Sequence, residues 1–142
     1  MRFEANSERP FHQAVRSALE KDGWTITHDP LRLKVGSLRL QVDLGAERSI
    51  AAEKDNQKIA VEIKSFLRAS KITDFYQAFG QFLPYKVALK RVEPDRTIYL
   101  AIPDSTYEEL FGEILIQDLL EEYPVKLIVY NPEKEEIQSW ID

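Results

Sequence analysis

Acidic and basic side chains alternate with aliphatic ones in two segments of the sequence. In residues 38–44, LRLQVDL, the alternation of a β-strand places Asp43 on the face opposite the leucines. In residues 59–64, IAVEIK, the same alternation places Glu62 and Lys64 together on the face opposite the apolar residues, and we expect that face to point away from the core. If the two strands are neighbours in one sheet, these three charged groups converge on a single patch.

Two carboxylates beside a lysine suit the hydrolysis of a phosphodiester, which needs a cation to neutralise developing charge and activate water. Mg²⁺ (or Mn²⁺) takes oxygen ligands and keeps several waters, so Asp43, Glu62 and the carbonyl of Ile63 would form a partial shell. Lys64 would orient the attacking water or stabilise the transition state. The alternative is that Glu-x-Lys lies on an ordinary solvated strand face.

Three helices are predicted around these strands. The first is capped by Ser7, has Pro10 in its first turn and ends near Gly23. The second runs from Ile72 with an aromatic stripe and a kink around Gly80 and Pro84, and is the longest. For the third, a capping box at residues 105–108 predicts a helix that continues toward Tyr123.

Alternating and apolar runs predict the strands, with Gly36-Ser37 as the turn of a hairpin. A second turn at residues 55–57 separates two more strands, and the last two strands are expected to pair across residues 131–136. The predicted strands cover residues 24–27, 31–35, 38–44, 50–53, 58–66, 97–102, 125–130 and 137–141. This order predicts an α/β fold, a mixed sheet with helices on both faces.

The composition is that of one compact domain, expected to span residues 1–142, with 44% hydrophobic and 30% charged residues. There is no cysteine, which excludes disulfides and cysteine-based zinc sites, and leaves His12 and His28 as the imidazoles. The sequence contains no signal-peptide pattern and no run long enough to span a bilayer. We therefore expect a cytoplasmic protein with no membrane partner.

Charge is distributed unevenly along the chain, although the net charge is −5. Residues 1–91 contain 16 Lys and Arg against 11 Asp and Glu, whereas residues 92–142 contain 3 against 13. A DNA-facing surface is therefore expected in the first two thirds of the chain. Its candidate phosphate contacts are Arg39, Arg48, Lys64, Arg68 and Lys71. The alternative for the acidic part is a solvated helix and tail.

Several strings along the chain resemble the XisH family, the fdxN element excision controlling factors of cyanobacteria. They are FHQAV, KDGWTITHDPLRLKVG, DLGAE, KIAVEIKSF and LIVYNPE. The resemblance covers nearly the whole chain and implies a restriction-endonuclease-like fold of the PD-(D/E)xK superfamily. It also implies a role in programmed DNA rearrangement beside a site-specific recombinase and a companion factor, XisI.

Asp43, Glu62 and Lys64 match the superfamily motif position by position, with Val42 in place of the usual proline. The stretch from Gln81 to Tyr85 resembles the QxxxY element of RecB-type nucleases, whose helix borders the substrate groove. The alternative for these two residues is a polar stripe opposite the aromatic core stripe. Relatives in the superfamily also bring a carboxylate from the first helix to the metal, and for that role we prefer Glu8 to Glu20. The other weak candidates for the site are His12, His28, Glu47 and Glu53.

The expected function is that of an accessory factor for programmed excision of a DNA element, acting as a Mg²⁺-dependent DNA endonuclease or nickase. The alternative is a non-catalytic module that binds DNA, the recombinase or XisI through the same fold. A phosphotransfer enzyme is disfavoured because no glycine-rich phosphate loop is present. A homodimer would fit an enzyme that cuts both strands.

Overall fold

The computed structural model describes residues 2–49, 56–67 and 69–142, with side chains from residue 9 onward. The elements in chain order are α1 (Arg2–Lys21), β1 (Thr25–His28), β2 (Leu31–Val35), β3 (Leu38–Val42), β4 (Leu44–Arg48), β5 (Gln57–Ile63), α2 (Lys71–Val92), β6 (Arg96–Pro103), α3 (Asp104–Leu110), α4 (Ile114–Glu122), β7 (Leu127–Asn131) and β8 (Glu136–Ile141). The fold is mixed α/β with flanking helices, as the sequence predicted.

The main sheet has the strand order β1-β4-β5-β6-β7-β8. Strands β5, β6 and β7 are parallel, and the crossovers between them are formed by α2 and by α3 with α4. The β1–β4, β4–β5 and β7–β8 pairs are antiparallel, which confirms the predicted pairing of the last two strands. Strands β2 and β3 form a separate two-stranded ribbon.

Apolar side chains are packed against both faces of β5. Val61 and Ile63 belong to a core cluster with Val15 and Leu19 of α1. Ala60, which points to the other face, is fully buried in a second cluster built with α2 and the ribbon. The prediction that the face of Glu62 and Lys64 is not part of the core is therefore wrong, because β5 is central in the sheet and is covered from both sides.

The chain bends at Asp43, which separates β3 from β4. A single strand over residues 38–44 would place Val42 and Leu44 on one face. Both are fully buried, but Val42 packs in the cluster on the α2 side and Leu44 in the cluster on the α1 side. The prediction of one continuous strand is wrong, because the chain passes here from the ribbon into the main sheet.

The helices differ from the predictions mainly at their ends. Helix α1 begins at Arg2, so that Pro10 lies inside the helix instead of in its first turn. The predicted capping box is wrong: α3 has Pro103 at its N-cap with no side-chain capping bond, and the chain leaves the helix after Leu110 before α4 begins. The longest described helix is α2, as predicted, with Ser70 as its N-cap.

The remaining predictions concern a membrane-spanning segment and the strand at residues 50–53. No helix in the described ranges is long and apolar enough to cross a bilayer. The strand expected at residues 50–53 lies outside the described residues. The strand that pairs with β5 is instead β4, which covers the preceding residues.

Candidate functional site

Asp43 lies at the bend between the ribbon and the main sheet. Its Oδ2 accepts a hydrogen bond of 2.8 Å from the backbone N–H of Ile63, the last residue of β5. The carboxylate therefore occupies a position at the end of the sheet where a strand carbonyl would otherwise accept the bond. This contact ties the bend to the carboxyl end of β5.

Glu62 lies beside Asp43 because of the register of the β4–β5 pair. Leu44 is opposite Val61, so that the next position brings Asp43 opposite Glu62. Oε1 of Glu62 accepts a hydrogen bond of 3.3 Å from the backbone N–H of Asp43. Each carboxylate thus accepts a main-chain bond from the segment that carries the other, and the two acidic side chains are held together.

The local environment raises the pKa of both carboxyl groups. Burial is the largest cause for Glu62, the negative charge of Asp43 adds to it, and the pKa rises from 4.5 to about 8. Burial also raises the pKa of Asp43, against the opposing effects of the Ile63 N–H and the His12 side chain. The pair resists carrying two negative charges, which is the electrostatic condition that a bound divalent cation relieves.

Lys64 follows directly after β5, and its backbone N–H donates to the carbonyl of Ala101. The side chain is half-buried and lowers the pKa of Glu62, which places its ammonium in the neighbourhood of the pair. Within the part of the chain that the structure describes, it forms no ion pair with Asp43 or Glu62. The ammonium therefore remains available for an anionic group bound at the site.

Two helices approach the carboxylates. On α2, Tyr85 is half-buried, and burial together with the charges of Glu62 and Asp43 raises its pKa. Gln81, one turn earlier, is exposed and makes no hydrogen bond or ion pair with the two carboxylates in the part of the chain that the structure describes. The structure thus brings Tyr85 to the site and leaves Gln81 at its margin.

On α1, His12 and Arg16 hold Asp29, a contact that the sequence reasoning missed. The Nε2 atom of His12 lies 2.8 Å from Oδ1 of Asp29, and the Arg16 guanidinium contacts the other carboxylate oxygen. The spacing of four residues, which puts two side chains on one helix face, was the available signal. The contact orients the His12 ring, which is one of the groups that lower the pKa of Asp43.

The weaker candidates from the sequence lie in other places. The side chains of Glu8 and Glu53 are outside the described residues. Glu20 is exposed near the end of α1, and the ring of His28 contacts the hydroxyl of Thr27. Glu47 lies near Arg96 and accepts a bond from Asn56.

The expected phosphate contacts fall into different groups. Arg48 stacks over Trp24, with its guanidinium carbon 4.4 Å from the ring centroid, and donates to Gln57. Lys71 forms an ion pair of 2.8 Å with Glu109 of α3. Arg39 is exposed and has no such partner in the described residues, whereas Arg68 lies outside them.

The donors that could hold a cation are oxygen atoms from Asp43, Glu62 and the carbonyl of Ile63. No group of three or more His, Asp or Glu side chains with metal-ligand geometry is present in the described ranges. Two carboxylates with one carbonyl nevertheless fit Mg²⁺, which retains several waters and takes few protein ligands. The raised pKa values of both carboxyl groups fit the same ion.

Comparisons with known proteins agree over nearly the whole chain. The family model described as XisH protein matches residues 7–138. A crystal structure of an XisH family protein from Nostoc punctiforme PCC 73102 is 46% identical, with a TM-score of 0.86, over 94% of this chain and 99% of that chain. A crystal structure of a fdxN element excision controlling factor protein from Anabaena variabilis is 45% identical, with a TM-score of 0.84 and the same coverage.

No curated protein matches the sequence. The family model nevertheless spans most of the chain, and both solved structures share the fold and close to half of the residues. The chain therefore belongs to the XisH family.

Proposed function

We propose that this protein is a controlling factor for the programmed excision of a DNA element and acts as a Mg²⁺-dependent DNA endonuclease or nickase. The proposed domain type is the restriction-endonuclease-like PD-(D/E)xK fold. In this proposal Asp43, Glu62 and Lys64 form the active site.

The observation that carries the proposal is the pair of backbone hydrogen bonds that holds the carboxylates of Asp43 and Glu62 side by side. Ile63 N–H donates to the first carboxylate and Asp43 N–H donates to the second. Two neighbouring carboxyl groups are costly when both are charged, since burial raises both pKa values. A cation site explains why both are kept close together.

Each residue of the proposed site would have its own role in cleavage. Asp43, Glu62 and the Ile63 carbonyl would hold the ion and fix its position relative to the scissile phosphate. A bound Mg²⁺ or Mn²⁺ would supply charge neutralisation and acidify a water. Lys64 would contact the phosphate oxygens or orient the water. Tyr85 and Gln81 would border the groove on α2.

The proposal of partners is supported by family membership and by the name of the Anabaena variabilis protein. That protein is called a controlling factor of fdxN element excision. For this chain we propose DNA as the substrate, with an XisI-like companion and a site-specific recombinase as protein partners. A homodimer with two-fold symmetry would place two such sites on opposite DNA strands.

The proposal is tested by cleavage of supercoiled, linear and branched DNA in Mg²⁺ and in Mn²⁺. Glu62→Gln removes the negative charge of a metal ligand and Lys64→Ala removes a transition-state charge, so each should lower the cleavage rate at least about 100-fold. The matched controls are Glu136→Gln, an exposed acid on β8, and Lys58→Ala, six residues earlier on β5. Both controls should cleave like the wild type.

Two results would contradict the nuclease proposal. One is the absence of cleavage by the wild type with any divalent cation. The other is normal excision of the DNA element in a host that carries the Glu62→Gln, Lys64→Ala double variant. Either result would favour a non-catalytic module that binds DNA or the recombinase.

A further inference from the structure

The β2–β3 ribbon presents one polar face and one apolar face. Leu31, Leu33 and Val42 on the inner face are buried in the core cluster that includes α2. The outer face carries four exposed polar side chains, Arg32, Lys34, Arg39 and Gln41, which line a depression together with Leu33 and Leu40. Because the inner face is anchored in the core, the outer face has a fixed orientation.

The outer face concentrates positive charge without local compensation. Lys34 is directly opposite Arg39, and Arg32 is opposite Gln41. Like charges in directly opposed positions destabilise a strand pair. Among the residues that the structure describes, none of the three cations has an acidic partner, in contrast to Lys71, which is paired with Glu109. An anionic partner from outside the chain would remove this repulsion.

The ribbon leads directly into the candidate active site. Strand β3 ends at Val42, and the next residue is Asp43. In an extended strand, residues advance by about 3.3 Å each, so the Arg39 Cα lies roughly 13 Å along the chain from Asp43. The inner face of the ribbon shares its core cluster with Ala60, which points to the same side of β5 as Glu62. A polyanion on the ribbon would therefore be near the carboxylate pair.

We infer that the outer face of the β2–β3 ribbon docks double-stranded DNA by lying along its major groove. The major groove is wide enough to admit a two-stranded β-ribbon. Arginine and lysine reach phosphates and guanine edges, and glutamine pairs with adenine, so the side chains on this face are suited to both kinds of contact. The ribbon is thereby the element that sets the position of the duplex relative to Asp43 and Glu62.

This inference rests on the proposed function for its choice of DNA as partner, and binding is measured separately from cleavage. The test uses the full chain in EDTA with a short fluorescent duplex. The ribbon variant is Arg32→Gln, Lys34→Gln, Arg39→Gln. The control variant, Lys86→Gln, Lys90→Gln, Arg91→Gln, removes the same charge from exposed positions near the end of α2.

The ribbon variant should bind the duplex at least about 10-fold more weakly near 0.1 M salt, and its log–log salt slope should fall by about 2 to 3. The control should change affinity less than about twofold. In the wild type, guanine N7 atoms in the major groove should be protected from methylation, and the ribbon variant should lose this protection. Circular dichroism and thermal unfolding check that both variants are folded.

If the ribbon variant is unfolded, Arg32→Lys with Arg39→Lys, which keeps the charge, should retain the salt slope and weaken only methylation protection. Equal losses from the ribbon and control variants, or no duplex binding by the wild type, would overturn the inference. Equal affinity of wild type for a single strand of the same length would also overturn it. Loss of binding in the ribbon variant with no cleavage by the wild type would support the ribbon and refute the nuclease.

Discussion

The carboxyl group of Glu62 shows how a single residue can be unfavourable in the folded chain and useful in the site. Its pKa is raised from 4.5 to about 8, first by burial and then by Asp43. Ionisation is therefore harder in the folded than in the unfolded protein. In the absence of a cation, the contribution of Glu62 to stability is present below pH 4.5 and is lost as the pH rises toward 8.

We therefore expect Glu62→Gln to raise the free energy of unfolding by about 1–3 kcal/mol near pH 8.5 without divalent ions, and to change it little near pH 4. Glutamine keeps an oxygen that can accept from the Asp43 N–H but carries no charge. Chemical denaturation at both pH values measures the difference. Solvent access to this half-buried group keeps the gain below the full value of the pKa shift.

The control for this prediction is Glu136→Gln, an exposed acid on β8. It should leave the pH dependence unchanged. Added Mg²⁺ should stabilise the wild type near pH 8.5, because a ligand that binds only the folded state raises the free energy of unfolding. The Glu62→Gln variant should lose most of that response. A destabilised variant near pH 8.5 would contradict the raised pKa.

Among the elements, helix α2 packs against the sheet and positions Tyr85 near the carboxylates of Asp43 and Glu62. Phe75 and Phe82 are almost completely buried in the cluster that also holds the inner face of the ribbon. The helix begins after Ser70, whose hydroxyl accepts a bond of 3.3 Å from the Thr73 N–H. This cap satisfies one of the backbone donors that a helix leaves free at its first turn.

Ser70→Ala should lower the free energy of unfolding by about 0.5–2 kcal/mol, because an N–H of the first turn of α2 loses its partner. The matched control is Ser105→Ala, which replaces an exposed serine inside α3 that does not serve as a cap. That change should have almost no effect, or a slight stabilising one. Urea unfolding of the three proteins measures the difference. Equal losses would mean that the hydroxyl of Ser70 is not the cause.

In the molecule as a whole, basic and acidic residues are concentrated in different parts of the chain. The basic ribbon precedes Asp43, whereas α3 and α4 contribute a large share of the acidic residues of the last third. Ion pairs such as Lys71 with Glu109 join the two groups locally. Salt screens exposed charges beyond about 8–10 Å, so the acidic helices should influence a duplex on the ribbon only weakly.

The triple variant Glu108→Gln, Glu121→Gln, Glu122→Gln should therefore bind duplex DNA as tightly as the wild type or up to a few fold more tightly. All three glutamates are exposed, and none has an ion pair among the described residues. Titration with the same fluorescent duplex at two salt concentrations measures the effect. A weakening comparable with that of the ribbon variant would contradict the division between basic and acidic surfaces.

Much of the fold and part of the site follow from local patterns in the sequence. Alternation identifies which residues of β5 point to the α1 side, and it places Glu62 and Lys64 together on the other face. The two-residue turn at Gly36-Ser37 was predicted, and Gly36 has the positive φ of 59° that such turns favour. These features depend on neighbours in the chain, and so they can be read from it.

The remaining features depend on contacts between distant segments. Alternation cannot show that α2 also covers the second face of β5, nor that the chain bends at Asp43, because each depends on what packs there from elsewhere. The pairing of His12 with Asp29 spans 17 residues, and that of Lys71 with Glu109 joins two helices. The raised pKa of Glu62 has the same origin, since burial by the folded chain is its largest cause. Residue types and periodicity thus determined the candidate carboxylates, whereas packing determined their burial, the backbone hydrogen bonds that they accept and which cations remain free.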